Sequence, residues 1–131
     1  MPGELHKIRM YKKVIRMLDE AQKILKDENK WCKGSLALDQ YGNEVGPATA
    51  KAVAWSVHGV MRRIDFPIKN KYLGKVRILA LELLHQVARE KHKNIDDLND
   101  FNDHGRIVRV FDEAILLAVE KQKQLIDLKY K

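Results

Sequence analysis

Apolar residues recur every three or four positions along most of the chain, which is the spacing of the buried face of an α-helix. This pattern predicts four main helices, over residues 5–26, about 50–63, about 72–92 and about 106–124. A further short helix is predicted over 95–101, because Asn94 directly before it is a favourable N-cap residue. The hydrophobic pattern therefore indicates a mainly α fold, a compact bundle of four main helices plus one short helix.

The segment between the first two helices breaks this pattern. Residues 39–42, DQYG, place Asp first and Gly fourth, which is the preference of a type I turn. Leu36, Leu38 and Val45 are apolar on either side of the turn, so a small β-hairpin is predicted there. Thr49 is then a candidate N-cap for the second helix.

The second predicted helix has two distinct stripes. One is apolar and is predicted to face the core; it comprises Val53, Val57, Val60 and Ile64. The other consists of the small residues Ala52, Ser56 and Gly59. Small side chains at helical spacing allow another backbone to approach closely, and we expect such a contact here.

The composition is that of a single domain covering residues 1–131. The chain has 45% hydrophobic and 33% charged residues, and it is long enough to bury a core. No apolar run approaches the roughly 20 residues that span a bilayer, so no membrane partner is predicted. The absence of an apolar signal core at the N-terminus and the presence of one cysteine favour a cytoplasmic location.

Positive charge is concentrated in the first part of the chain. The net charge is +7; residues 1–77 carry 16 Lys and Arg against 8 Asp and Glu, whereas residues 78–131 carry 9 against 10. The first helix has a basic stripe at i, i+3, i+4 and i+7, which comprises Arg9, Lys12, Lys13 and Arg16. A second basic set, beside Phe66 and Tyr72, comprises Arg62, Arg63, Lys69, Lys71 and Lys75. Such residues suit a protein partner with an acidic surface. Where aromatic residues are interleaved with them, they also suit a nucleic acid. The favoured interpretation of the second set is a solvent-exposed rim of charged side chains without a binding role.

Cys32 is the candidate nucleophile of the chain. A nearby histidine could raise its thiolate fraction, and the candidates are His58, His85, His92 and His104. No local signature ties any of them to Cys32, and free cysteines are among the most buried residues in proteins. Core packing is therefore the favoured interpretation, and no catalytic residue is predicted.

Two segments resemble metal sites but lack required ligands. Glu82 and His85 form one E-x-x-H pair, whereas a carboxylate di-iron site needs a second such pair, which the sequence lacks. A calcium loop starting at Asp100 would have Gly105 at position 6, but Phe111 occupies position 12, where a bidentate Glu is required. No metal and no cofactor are predicted.

Five segments follow one another in a characteristic order: WCKGSLA, DQYGNEV, KAVAWSVHGVM, DFND and VFDEAI. Their pattern, W-C-x-G-[AS]-L-A, then A-V-x-W-x-x-x-G, then F-N-D, resembles that of a family of uncharacterised small bacterial and phage proteins, over roughly residues 7–120. The matching positions are Trp31, Cys32, Gly34, Leu36, Ala37, Gly42, Val53, Trp55, Gly59, Phe101, Asn102 and Asp103. The chain departs from the pattern at Ser56, where a cysteine is expected, and in a shorter segment after Asp103.

The signature residues are predicted to be structural: Trp31, Cys32, Gly34, Trp55, Gly59, Phe101, Asn102 and Asp103. We expect the two Trp-containing segments to meet the turn at residues 101–103 on one side of the bundle. A buried indole N–H needs an acceptor, and Asn102 or Asp103 is the acceptor expected from the pattern.

The resemblance implies a phage or phage-related origin, and it assigns no catalytic residue. Small phage proteins of this kind often bind a host protein, including host-defence components, which is an analogy at the level of the family. We therefore predict a non-enzymatic accessory protein that binds a host or phage protein in the host cytoplasm. A nucleic-acid-binding protein that uses both basic sets is the alternative, and an enzyme based on Cys32 or a pocket ranks third.

Overall fold

The structure is a computed structural model, and it describes residues 2–65, 73–88 and 94–130. In chain order its elements are α1 (Pro2–Leu25), a 3₁₀ turn (Glu28–Lys30), β1 (Ala37–Leu38), β2 (Ala54–Trp55), α2 (Val57–Asp65), α3 (Leu73–Ala88), α4 (Ile95–Asp100) and α5 (His104–Lys129). The predicted fold is confirmed, because the described residues form four longer helices, one short helix and a two-stranded antiparallel element between the first and second helices.

The helix α1 packs against α5, α3 and α2, and its contact with α5 is the most extensive. The periodic apolar residues of α1 form the buried side of the helix: Val14, Met17, Leu18, Ala21 and Leu25 are at most 1% exposed. From α5 the core receives Ile107, Val110, Phe111, Ala114 and Ala118. The spacing of apolar residues in these two helices thus predicted which of their faces are buried.

The second strand of the β element differs from the predicted one. β1 pairs with β2, and the register places Ala37 opposite Trp55 and Leu38 opposite Ala54. The expected second arm around Val45 contributes an isolated bridge between Leu38 and Glu44. β1 is therefore flanked on one side by β2 and on the other by the chain returning from the turn.

The turn itself forms where it was predicted. The N–H of Gly42 donates to the carbonyl oxygen of Asp39 at 3.1 Å, and Gly42 has a φ of +81°. The Asp39 side chain accepts the N–H groups of Tyr41 and Asn43, both at 2.9 Å. A left-handed backbone conformation is accessible to glycine at little cost, so Gly42 suits this position.

The predicted start of the second helix is wrong by several residues. Residues 53–55 are extended, and the N–H of Val53 donates to the carbonyl oxygen of Leu38 at 2.9 Å. Val53 is consequently 44% exposed, whereas Val57 is buried. The helical spacing of the valines was misleading. The backbone hydrogen bonds of this segment are made with β1, which is distant in sequence, and a local pattern does not reveal such pairing.

The N-cap of α2 is Ser56, and the prediction of Thr49 is wrong. The Oγ of Ser56 accepts the N–H of Gly59 at 3.1 Å, which is the usual bond of a serine N-cap. The Thr49 hydroxyl instead donates to the carbonyl oxygen of Gly46 at 2.9 Å.

Gly59 lies directly against the backbone of Leu36. The N–H of Ser56 donates to the carbonyl oxygen of Leu36 at 3.1 Å, which holds the first turn of α2 against this strand segment. A Cβ atom on Gly59 would overlap the carbonyl group of Leu36. The expected close approach at the small-residue stripe is therefore confirmed.

The two C-terminal helices begin at carboxylate or amide caps. The N–H of Asp97 donates to Asn94 Oδ1 at 2.9 Å, as predicted for α4. The N–H of Arg106 donates to Asp103 Oδ1 at 2.7 Å, which starts α5 at His104.

Across the described ranges, no helix has the length and apolar character needed to cross a membrane.

Candidate functional site

The signature residues are organised by a buried amide that the sequence did not single out. Asn99, in α4, is 0% exposed, and its Oδ1 accepts Trp31 Nε1–H at 2.7 Å and the N–H of Val57 at 3.0 Å. Its Nδ2 donates to the carbonyl oxygen of Cys32 at 2.9 Å and to Asp100 Oδ1 at 3.0 Å. These four bonds use the hydrogen-bonding capacity of the amide group. We call this cluster of Trp31, Cys32, Val57, Asn99 and Asp100 the signature corner.

The indole groups have other acceptors than those expected. Trp31 donates to Asn99, and Trp55 Nε1–H donates to the carbonyl oxygen of Pro47 at 2.8 Å. The two tryptophan segments do meet, because Trp31 and Trp55 form a parallel bridge and the N–H of Cys32 donates to the carbonyl oxygen of Trp55 at 3.0 Å. The prediction that these segments converge is confirmed, and the predicted acceptors were wrong.

The turn at residues 101–103 ends α4 and starts α5. Phe101 is 75% exposed, and Asn102 Nδ2 donates to the carbonyl oxygen of Leu98 at 2.8 Å. Asp103 is the N-cap of α5, and His104, next to it, has its Nε2 at 2.6 Å from the carbonyl oxygen of Leu25. The turn therefore positions helices around the signature corner without supplying its buried acceptor.

Cys32 is held in the protein interior. Its side chain is buried, and its Sγ lies 3.6 Å from the carbonyl oxygen of Ser35. Burial, and secondarily the Asp100 carboxylate, raise the pKa of the Cys32 thiol to about 11. The thiolate is the reactive form of cysteine, so this environment opposes a nucleophilic role near neutral pH.

Labelling of Cys32 by a chromogenic disulfide reagent is expected to be at least about 100-fold slower in the folded chain than in concentrated urea, because the thiolate fraction falls tenfold for each unit of pKa. When the pH is below the pKa of a free thiol, the raised pKa of Cys32 alone accounts for this factor, and burial slows the reaction further. The rate of absorbance change measures the labelling rate of each chain. A matched control has Cys32→Ser together with Gln40→Cys at an exposed position, and it should label rapidly. Equal rates for the two folded chains would make Cys32 a nucleophile candidate again.

An acidic cleft of about 330 Å³ opens beside the signature corner. Its lining comprises Gly34, Ser35, Leu36, Glu44, Ser56, Asp96 and Asp100. The N–H of Gly34, which has a φ of +80°, donates to Asp100 Oδ1 at 2.9 Å, and Ser35 Oγ donates to Glu44 Oε1 at 2.6 Å. Within residues 2–65, 73–88 and 94–130, no group of three or more His, Cys, Asp or Glu side chains is placed to hold a metal ion.

His58 contacts Asp96, one of the residues that line this cleft. Its Nδ1 is 3.6 Å from Asp96 Oδ1, and its Nε2 accepts Arg62 Nε–H at 3.3 Å. Burial lowers the pKa of His58, and the Asp96 carboxylate opposes that effect. The His58 imidazole thus links α2 to α4, and Arg62 is part of this contact.

The four basic residues of the first stripe, Arg9, Lys12, Lys13 and Arg16, are all exposed on α1. We call them the basic face of α1. They lie on the side of the helix away from Val14, Leu18 and Ala21, which are buried. In the part of the chain that the structure describes, no carboxylate forms an ion pair with any of the four. The basic face is therefore available to a partner.

In the second basic set, the described residue Arg63 is bonded within the fold, whereas Arg62 is exposed. Lys69 and Lys71 lie outside the described residues, and Lys75 is exposed. Arg63 Nη1 donates to the carbonyl oxygens of Ala48 at 3.2 Å and Thr49 at 3.3 Å. Its guanidinium carbon also lies 5.7 Å from the centroid of the Trp55 ring. Arg63 thus holds the loop before β2 in place, which is a role within the fold.

Residues 10–117 match the model of a family of unknown function, DUF6197. The chain belongs to this family. No curated protein and no solved structure matches it. The DUF6197 match contains the whole signature corner and ends at Leu117, before the last turns of α5. The prediction that the chain belongs to an uncharacterised family is confirmed. The specific residue pattern ascribed to that family stays a prediction.

Proposed function

We propose that this chain is a small non-enzymatic accessory protein, phage-encoded or phage-related, that binds a host or phage protein through the basic face of α1. The observation that carries the proposal is the basic face itself, which places four cations at helical spacing on one exposed surface. Cations grouped in this way attract an acidic surface and steer its approach. A host-defence component in the host cytoplasm is the partner class that follows from the family resemblance.

The environment of the signature residues supports a binding role over an enzymatic one. Trp31, Trp55 and Asn99 use their polar groups in internal hydrogen bonds. Cys32 is buried, with a pKa raised to about 11. Residues held in this way stabilise a fold, so recognition is better assigned to exposed side chains that have no internal partner.

Reversing charge on the basic face is expected to weaken partner binding. The variant Arg9→Glu with Lys13→Glu should weaken it by more than about tenfold, because repulsion replaces attraction at the centre of the contact. Affinity purification of the tagged chain from bacterial host lysate, followed by titration of the recovered partner, measures the effect. A matched control carries Lys26→Glu with Lys51→Glu, two exposed lysines elsewhere, and should bind normally.

Two outcomes would count against this assignment. Equal loss of binding in both double variants would mean that net charge, and not the basic face, determines the interaction. Binding of short single- or double-stranded DNA probes with an affinity that falls steeply with salt would favour the alternative, a nucleic-acid-binding protein that uses Arg62 and Lys75 together with the basic face.

A further inference from the structure

The helix α5 exposes apolar side chains on the side opposite the core. Leu116, Val119, Ile126 and Tyr130 are 68%, 45%, 37% and 76% exposed, and we call them the apolar ridge. Leu116 is two residues from each of the fully buried Ala114 and Ala118. Residues two apart in an α-helix point about 200° apart, so the ridge faces away from the bundle.

The apolar ridge follows the spacing of a coiled-coil seam. Its residues alternate by three and four positions when Lys123 is included, which gives the heptad positions a, d, a, d and a from Leu116 to Tyr130. Single exposed apolar residues are common on protein surfaces and need no explanation. A seam over four helical turns, apolar at every position except Lys123, is a surface on which a second helix can pack.

Carboxylates follow one side of the apolar ridge. Glu113, Glu120 and Asp127 are exposed and separated by seven residues each, which places all three at heptad position e. We call them the acidic flank. Glu113 lies 4.0 Å from Arg106, whereas Glu120 and Asp127 form no ion pair with the other described residues. A local negative edge on a chain with a net charge of +7 selects for a positively charged occupant.

We propose that the apolar ridge docks an amphipathic helix of another protein that carries Lys or Arg beside its own apolar seam. A second copy of α5 does not fit as well. An antiparallel pair would place one acidic flank against the other, and a parallel pair would place Gln122 at position g against Asp127 at position e. Neither arrangement gives an ion pair, whereas a partner helix with cations along its seam would pair with the acidic flank.

Synthetic helices can test this surface directly. The probe is a four-heptad peptide with Leu at a and d and Lys at e and g, labelled for fluorescence anisotropy. One control peptide has Glu in place of Lys, and another has the Lys-containing composition in scrambled order. The Lys-flanked helix is expected to bind the full chain at least about tenfold more tightly than either control, because it alone matches both the seam and the charge.

Variants of the full chain assign that binding to the apolar ridge. Leu116→Ser with Val119→Ser should weaken it by at least about tenfold, since both apolar contacts are lost. Leu128→Ser is the matched control, because Leu128 is 61% exposed on the same helix but lies two residues from Ile126, off the ridge. Glu120→Lys with Asp127→Lys should reverse the preference, so that the Glu-flanked helix binds more tightly.

Several results would overturn the proposal. They are binding of neither helix, equal binding of both, or binding unaffected by the Leu116 and Val119 substitutions. A dimer in solution that the same substitutions dissociate would assign the ridge to a second copy. Recruitment to anionic lipid vesicles that the substitutions abolish would assign it to a membrane surface. Arg9→Glu with Lys13→Glu should leave helix binding unchanged, which separates this test from that of the basic face of α1.

Discussion

Replacing Gly59 with alanine is expected to lower the free energy of unfolding by at least about 3 kcal/mol, the upper end for an overpacked site. The added Cβ would overlap the carbonyl carbon and oxygen of Leu36. A backbone carbonyl cannot move aside as the end of a side chain can, so α2 and the strand segment would have to separate. Urea denaturation monitored by circular dichroism measures the loss, and thermal unfolding gives a second value.

Gly105 provides the matched control for this substitution. It also lies in a helix, but a Cβ there would meet only the side-chain ends of Arg109 at 3.5 Å and Asp103 at 3.6 Å, which is ordinary contact. Gly105→Ala should therefore be neutral or stabilising by up to about 1 kcal/mol, because alanine restricts the unfolded chain. An equal effect of the two substitutions would contradict the close approach of α2 to Leu36.

Removing the amide of Asn99 is expected to have the second large effect. Asn99→Ala would leave Trp31 Nε1–H, the N–H of Val57 and the carbonyl oxygen of Cys32 without their present partner. Unsatisfied buried groups cost about 1–3 kcal/mol each and are partly relieved by water, so a total loss of about 3–4 kcal/mol is expected. The same denaturation measurement applies.

Asn102→Ala is the matched control for Asn99, because it removes an amide in the next turn that bonds to the carbonyl oxygen of Leu98. It should cost about 1 kcal/mol, the contribution of an ordinary hydrogen bond. If the two substitutions had similar effects, the assignment of Asn99 as the centre of the signature corner would be wrong.

Asn99→Asp adds a pH-dependent test of the same position. The introduced carboxylate would face Asp100 and the carbonyl oxygen of Cys32, which now receive N–H bonds. Burial and the neighbouring charge should raise the pKa of the new group above about 3.9, its value in the unfolded chain. The folded state would then bind the extra proton, so the loss of stability relative to wild type should be small at acidic pH and grow as the pH rises. A constant difference across this range would contradict the buried environment.

The helices were predictable because their buried faces are encoded locally. Val14, Leu18, Ala21 and Leu25 recur at helical spacing in α1, and each is fully or almost fully buried. Capping residues are local as well, which is why Asn94 was identified as the start of α4. The start of α2 was not predictable in the same way, since Val53 fits the helical spacing but donates its N–H to the carbonyl oxygen of Leu38, directly before β2.

The signature corner was partly predictable from its unusual residues. Trp31, Trp55 and Gly59 indicated converging segments, and the structure brings those segments together. Asn99 gave no comparable signal, because α4 is only six residues long and also contains three aspartates, Asp96 and Asp97 before Asn99 and Asp100 after it. The plausible acceptors Asn102 and Asp103 were nearby in sequence, but their side chains serve the turn and the cap of α5.

By itself, the sequence determined the helical class, the faces that the helices bury, and the exposed position of the basic face of α1. These properties depend on contacts between residues three or four positions apart, which are visible in the order of the residues. The tertiary structure decided that β2 and the residues before it take the place of the first two turns of the expected helix, and that Asn99 accepts the indole N–H of a tryptophan 68 residues away. It also decided that the apolar ridge of α5 stays uncovered, since helical periodicity locates this second apolar stripe but does not show whether another element packs on it.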